Sequence, residues 1–251
     1  MEHNFDIAAL LSPPDIMESK RVLCVQPHPD DNEIGMGGII AALARRGCEI
    51  SYLTVTNGDR GNLDKTASPE ETAAIRKGEA EASGRLLGAS SFYFLNHSDG
   101  TLSDVVELSK EISGVIRKTR PDAIFCPDPW LMYECHMDHI ITGLAVSNAL
   151  IMSGHSYSPD DKSEPWRCPA IGYYYTSNHN TVIDITNTFE QKFEAIALHK
   201  SQIDAQTLAM YRIYFGMKGE ELAQGKGFPL GEGLKVLGQL HTHCFVDAYK
   251  I

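Results

Sequence analysis

The chain has 251 residues, enough to bury one full α/β core, and its 33 acidic side chains against 22 Lys and Arg give a formal charge of −11. The basic residues are spread along the chain without a cluster, so a polyanion such as nucleic acid meets net repulsion. Six scattered cysteines with no CxxC pair suit reduced thiols in a cytoplasmic protein and argue against a disulfide framework or a Cys-rich metal site.

The lead-in over 1–20 has no basic start, and its apolar run is broken by Ser12, Pro13 and Pro14, so it is not read as a secretory signal. No stretch approaches the roughly 20 apolar residues of a membrane helix, and no membrane insertion is expected. RVLCVQ (21–26) is a nearly continuous apolar run suited to a strand covered on both faces. From Gly35 the pattern MGGIIAALARRG predicts a helix closed by Gly47, and EISYLTVT (49–56) a second buried strand, which makes a βαβ unit. Ser68, Pro69 and Glu71 form a capping-box signature that opens a helix running to Gly88. SSFYFL (90–95) and DAIFCP (122–127) read as strands, and 104–119 and 139–152 as helices. The polar segment 153–168 reads as a surface excursion, followed by two more strands in AIGYYYTS and TVIDIT. A helix starting at Asn187, with Glu190 three residues on, and DAQTLAMYRIYFGMKGEEL complete a C-terminal helical layer. The expectation is one domain over 1–251 with a doubly wound, mostly parallel, Rossmann-like α/β sheet.

Two clusters carry chemistry: PHPDD at 27–31 and HMDH at 136–139, each after a predicted strand and before a helix. In open α/β sheets that edge binds ligands, so the two loops can bring His28, Asp30, Asp31, His136, Asp138 and His139 together. Two imidazoles and one carboxylate make a three-ligand zinc site with the fourth position open, the catalytic arrangement. Adjacent carboxylates are also costly unless a cation neutralises them. GMGG (35–38) resembles a dinucleotide fingerprint, but Ile40 stands at the sixth position and Asp30, Asp31 and Glu33 would repel a pyrophosphate. These glycines are read as close helix–strand packing. Asn57 and Asp59 after the second strand, Asp99 after the third and Asp128 after the fourth lie on the same edge, either as plain turns or as pocket residues.

PHPDDNEIGMGG, TNGDRG (56–61), IRKGEAEASGRLLG (75–88) and HMDHIITG (136–143) together resemble the LmbE-like (PIG-L) zinc N-deacetylases. PDPWLMYECHMDH, YYYTSNHNTVIDIT, ALHKSQ (197–202) and GQLHTHCFVD are most similar to the diacetylchitobiose deacetylase branch. Met137 departs from the family's usual proline and is not a ligand position. The resemblance implies one zinc per chain held by His28, Asp31 and His139, with Asp30 as general base and a protonated His136 stabilising the transition state. It implies an N-acetylated amino sugar as substrate, with Arg76 contacting its hydroxyls. Trp130 and Tyr133, beside the HMDH cluster, are placed either to stack on a sugar ring or to pack within their loop. Asp138 is expected to orient a neighbouring histidine. His241, in the tail motif, is read first as strand or tail structure, with completion of a neighbouring subunit's pocket in a homo-oligomer as the sharper alternative. The alternatives are a deacetylase of another N-acylated glucosamine conjugate, a thiol precursor or glycolipid, and a non-catalytic metal- or carbohydrate-binding relative.

Overall fold

The computed structural model describes residues 12–62, 66–156 and 162–251, so most of the lead-in and the centre of the 153–168 excursion lie outside the described residues. Five strands run parallel: β1 (Arg21–Gln26), β2 (Glu49–Thr56), β3 (Ala89–His97), β4 (Ala123–Pro127) and β5 (Ala170–Tyr174). With β6 (Thr181–Asp184) and β7 (Gly231–Gly238) they form one seven-stranded sheet in the order β3-β2-β1-β4-β5-β7-β6. β7 is antiparallel to both of its neighbours. It is the one strand absent from the sequence expectation, because GEGLKVLG has the glycine content of a loop.

The helices are α1 (Asp31–Arg45), α2 (Pro69–Leu87), α3 (Val105–Thr119), α4 (Met137–Met152), α5 (Phe189–Ile196) and α6 (Ala205–Ala223). On one face Met36, Ile39 and Leu43 of α1, Leu87 of α2 and Phe193 of α5 pack with Cys24, Ile50 and Phe125. On the other, Leu108 and Ile112 of α3 and Ile141 and Val146 of α4 pack with Leu23, Val25 and Ile124. Alternate residues of β1 thus feed opposite cores, as a strand covered on both faces must. The chain winds outward from β1 along one face, returns to β4 along the other, and so places the topological switch between these adjacent strands.

The expected capping box forms: Ser68 Oγ accepts from Glu71 N and Glu71 Oε2 from Ser68 N. Gly88 closes the helix at φ 104. Three helix starts differ from expectation, α4 beginning at Met137, two residues before His139. α1 begins at Asp31, four residues before Gly35, and carries a non-helical Met36 (φ −150) inside it. α5 is preceded by Thr188 and not by Asn187; Thr188 makes no side-chain cap, its hydroxyl donating to Gly38 O instead, and Glu190 pairs with Arg212. The visible ends of the excursion are tied to α3, where buried Arg117 donates to the carbonyls of Ser153, His155 and Ser163. Close packing at GMGG is observed: a Cβ on Gly35 would stand 2.5 Å from the Tyr174 ring.

The break at Met36 exposes backbone N–H groups in the middle of α1. Glu232 of β7 accepts from Gly38 N and Ile39 N, at 3.3 and 2.8 Å, and pairs with buried Lys192 of α5 at 2.5 Å. Removing one partner of such a pair strands the other charge in the core. Glu232→Ala should therefore lower stability by about 3–5 kcal/mol in urea unfolding. A Lys192→Met/Glu232→Gln double variant removes both charges, keeps an acceptor for α1, and should regain much of that loss. Equal destabilisation of the single and double variants would contradict this assignment.

Candidate active site

β1 ends in Gln26, whose buried side chain accepts from Asn32 N at 3.0 Å, while Asn32 Nδ2 donates back to Cys24 O. Thr56 at the end of β2 donates through its N–H and its hydroxyl to Pro27 O. These bonds hold PHPDD as a turn over the sheet edge. Within it His28 N donates to Asp31 Oδ2 at 2.9 Å.

Asp30 has φ 141, a backbone conformation costly for any residue with a Cβ. The two adjacent carboxylates have different surroundings as a result. Asp31 faces two histidines: His28 Nδ1 lies 3.2 Å from its Oδ2 and His139 Nε2 lies 3.4 Å from its Oδ1. Asp30 meets Arg76 Nη2 at 3.2 Å. Ligands about 2.0–2.2 Å from a tetrahedral zinc stand about 3.3–3.5 Å from one another, so the donor set His28, Asp31 and His139 fits such an ion in chemistry and spacing.

Asp138 is wholly buried, accepts from Gly100 N and Leu102 N, and lies 3.3 Å from His28 Nε2. It therefore orients His28, on the other loop, and neither of the histidines beside it in sequence. Asp99 Oδ1 shares that His28 nitrogen at 3.3 Å and stands 4.0 Å from His136 Nε2. Asp59 accepts from Asp99 N and the Ser98 hydroxyl, which makes it a support for Asp99. Asn57 Oδ1 accepts from Asp59 N.

His136 caps α4, its Nδ1 accepting from Asp138 N at 3.3 Å. Accepting there leaves the ring proton on Nε2. Burial and the neighbouring His28 and His139 rings also lower its pKa. Both features run against the expected protonated His136 and suit an imidazole whose N–H is on Nε2. Burial alone would lower His28, but hydrogen bonds to Asp138, Asp31 and Asp99 push it up to about 12. Burial and the charge of Asp31 push Asp30 up to about 7 against Arg76 and His199. Burial acts on Asp31 too, yet His139 and His28 hold it well below the usual carboxylate range.

Arg76 is buried beside Asp30, not displayed toward a pocket. Its guanidinium donates to Asp30, Pro29 O and Gly58 O. Gly58 has φ 63, and a Cβ there would lie 2.4 Å from Arg76 Nη1. Asp128 closes its own turn by accepting from Trp130 N. Trp130 is 63% exposed with its ring edge-on to Tyr173, and Tyr133 is 89% exposed. His241 is buried in its own chain, where Nδ1 accepts from Gly238 N; Gly238 pairs with Ala170, at the sheet end opposite the histidine cluster.

A cavity of about 980 Å³ runs from Asp30, Asp31 and His139 to the wall formed by Tyr211, Tyr214 and Phe215 of α6. Three residues at or behind the site were not singled out from the sequence. Tyr175, just after β5, stacks on His139 and donates to Asp31 O. Glu134 lines the cavity beside His139. His199, inside ALHKSQ, lies fully buried 3.6 Å from Glu33. Only position after a strand end, for Tyr175, and adjacency to HMDH, for Glu134, could have signalled the first two.

The model of the PIG-L family, GlcNAc-PI de-N-acetylase, matches residues 23–150, which span both clusters. Diacetylchitobiose deacetylase of Thermococcus kodakarensis is 35% identical over 96% of this chain and 97% of its own length. A probable N-acetyl-alpha-D-glucosaminyl L-malate deacetylase 2 of Bacillus cereus is 30% identical over 74% of this chain and 85% of its own. Among solved structures, N,N'-diacetylchitobiose deacetylase from Pyrococcus horikoshii, complexed with an inhibitor, superposes with a TM-score of 0.87 at 36% identity. It covers 93% of this chain and 90% of its own. With the family's motifs on the two loops of the switch point and a relative matched end to end, the chain belongs to the PIG-L (LmbE-like) de-N-acetylase family.

Proposed function

We propose that the chain is a zinc-dependent hydrolase that removes the N-acetyl group of an amino sugar of the N-acetylglucosamine or N,N'-diacetylchitobiose type. The carrying observation is Asp30: a carboxylate beside the His28, Asp31, His139 donor set but outside it, turned away by its backbone and held by Arg76. A binding-only protein has no use for that separation. Zinc held by the three donors supplies Lewis acidity toward the amide carbonyl and acidifies water.

Asp30 accepts the proton as water adds to the carbonyl carbon, and returns it to the nitrogen as the C–N bond breaks, releasing acetate and the free amine. A pKa near 7 suits a group that must do both. The Nε2–H of neutral His136 donates to the oxygen that becomes negative in the tetrahedral intermediate, and it needs no second proton to do so.

The volume of the cavity lies at the upper end of the usual range for small-molecule sites, about 300–1,000 Å³. It has room for more than one sugar ring, and the α6 aromatics offer faces for stacking. They take the place assigned above to Trp130 and Tyr133. Exposed Met210, Ile213, Tyr214 and Met217 on α6 form an apolar face that supports a homo-oligomer; His241, buried against Gly238 of its own chain at the far end of the sheet, is not placed to serve a neighbour's pocket. Six free cysteines accord with a cytoplasmic location, and no helix among the described residues is long and apolar enough to cross a membrane.

With N-acetylglucosamine and N,N'-diacetylchitobiose as substrates, Asp30→Asn should lower acetate release by about 10²–10⁴-fold and leave stoichiometric zinc binding intact. Full turnover in the variant would remove Asp30 from the chemistry. The acidic limb of kcat/KM follows protonation of the base, so activity is lost as pH falls through its pKa. Arg76 opposes that protonation, and Arg76→Gln should move the limb upward by about 1 pH unit. A downward shift would show that Arg76 acts elsewhere. In sedimentation a pure monomer would overturn the oligomer.

A further inference from the structure

HMDH supplies two histidines with different tasks, one in the donor set and one capping α4 with an outward N–H, and a single carboxylate from the preceding loop reaches toward both. Glu134 Oε1 accepts from the backbone N–H of His136 at 2.7 Å. Its Oε2 stands 3.7 Å from Nδ1 of His139. That nitrogen is buried and has no hydrogen-bond partner.

The other nitrogen of the same ring, Nε2, faces Asp31. A histidine that ligates through one nitrogen needs an acceptor for the proton on the other, and a carboxylate there fixes the ring's tautomer and plane. Tyr175 already stacks on the ring at 5.9 Å with an interplanar angle of 15°, which sets its tilt but leaves Nδ1 unsatisfied. A bare buried N–H is expensive, and a charged acceptor removes that cost.

We propose that Glu134 is the positioning residue for both histidines, holding His139 for the metal through Oε2 and the start of α4, with His136, through Oε1. The proposal rests on the metal-centre reading above. It explains why a loop with exposed Met132 and Tyr133 on its outer side turns one acidic side chain inward beside the donor set. Glu134 itself need not touch substrate or metal.

The test is zinc affinity, measured by competition with a chelating dye on wild-type protein, Glu134→Gln and Glu134→Ala. Removing such a partner typically weakens metal binding by about 10–100-fold, and the Ala variant should fall in that range. The Gln variant keeps an oxygen acceptor without the charge and should lie between Ala and wild type. The visible spectrum of cobalt-loaded protein should change in Ala and largely return in Gln. Thermal unfolding of the metal-free proteins separates this from simple loop damage: if Ala melts early, the affinity of Gln alone decides. Wild-type zinc affinity in the variants would overturn the role of Glu134 while leaving the metal centre standing. A wild-type protein that fails to bind zinc would overturn both.

Discussion

Like charge held at close quarters is the constraint on which the rest of the site depends. Asp30, Asp31, Asp99 and Asp138 all converge near His28, and a protein interior does not tolerate four uncompensated carboxylates. The fold meets this with imidazoles on one side, Arg76 on another and backbone N–H groups of residues 100 and 102 below. The imidazoles follow β1 and β4, the N–H groups follow β3 and Arg76 comes from α2, so they gather at the sheet edge beside the switch point between β1 and β4. The demand for positive charge that remains is the physical basis for a cation site.

Much of this organisation could be read in advance, for a definite reason. Buried parallel strands are written as continuous apolar runs, so β1 through β5 announce themselves, and Ser68, Pro69 and Glu71 announce a helix start through local hydrogen bonding alone. His28, Asp31 and His139 could be grouped because the two loops occupy equivalent places after strands. What failed was non-local. β7 has no pattern of its own; it is a strand because β5 and β6 supply ladders on both sides. Asn187 has the right chemistry for a cap, yet the chain starts its helix one residue later, where Thr188 is committed to Gly38 O.

The same distinction governs the site. Arg76 was expected at the sugar hydroxyls because the family resemblance implies it. Its guanidinium is instead buried against Asp30 and near Asp99. Asp138 was expected to serve a histidine beside it, but α4 points it back under His28. Trp130 carries the right chemistry on the outer side of its loop, and the cavity takes its aromatics from α6, whose apolar periodicity is nearly featureless because neither face is fully buried.

The separation of Asp30 from Asp31 is where backbone and electrostatics meet. Two adjacent carboxylates in one buried turn would otherwise raise each other's pKa and compete for the same cation. The positive φ of Asp30 breaks that equivalence before α1 begins, sending one carboxylate toward two histidines and the other toward an arginine. Their pKa values then move apart, one far down and one to about 7, which is the signature of two carboxylates given different work.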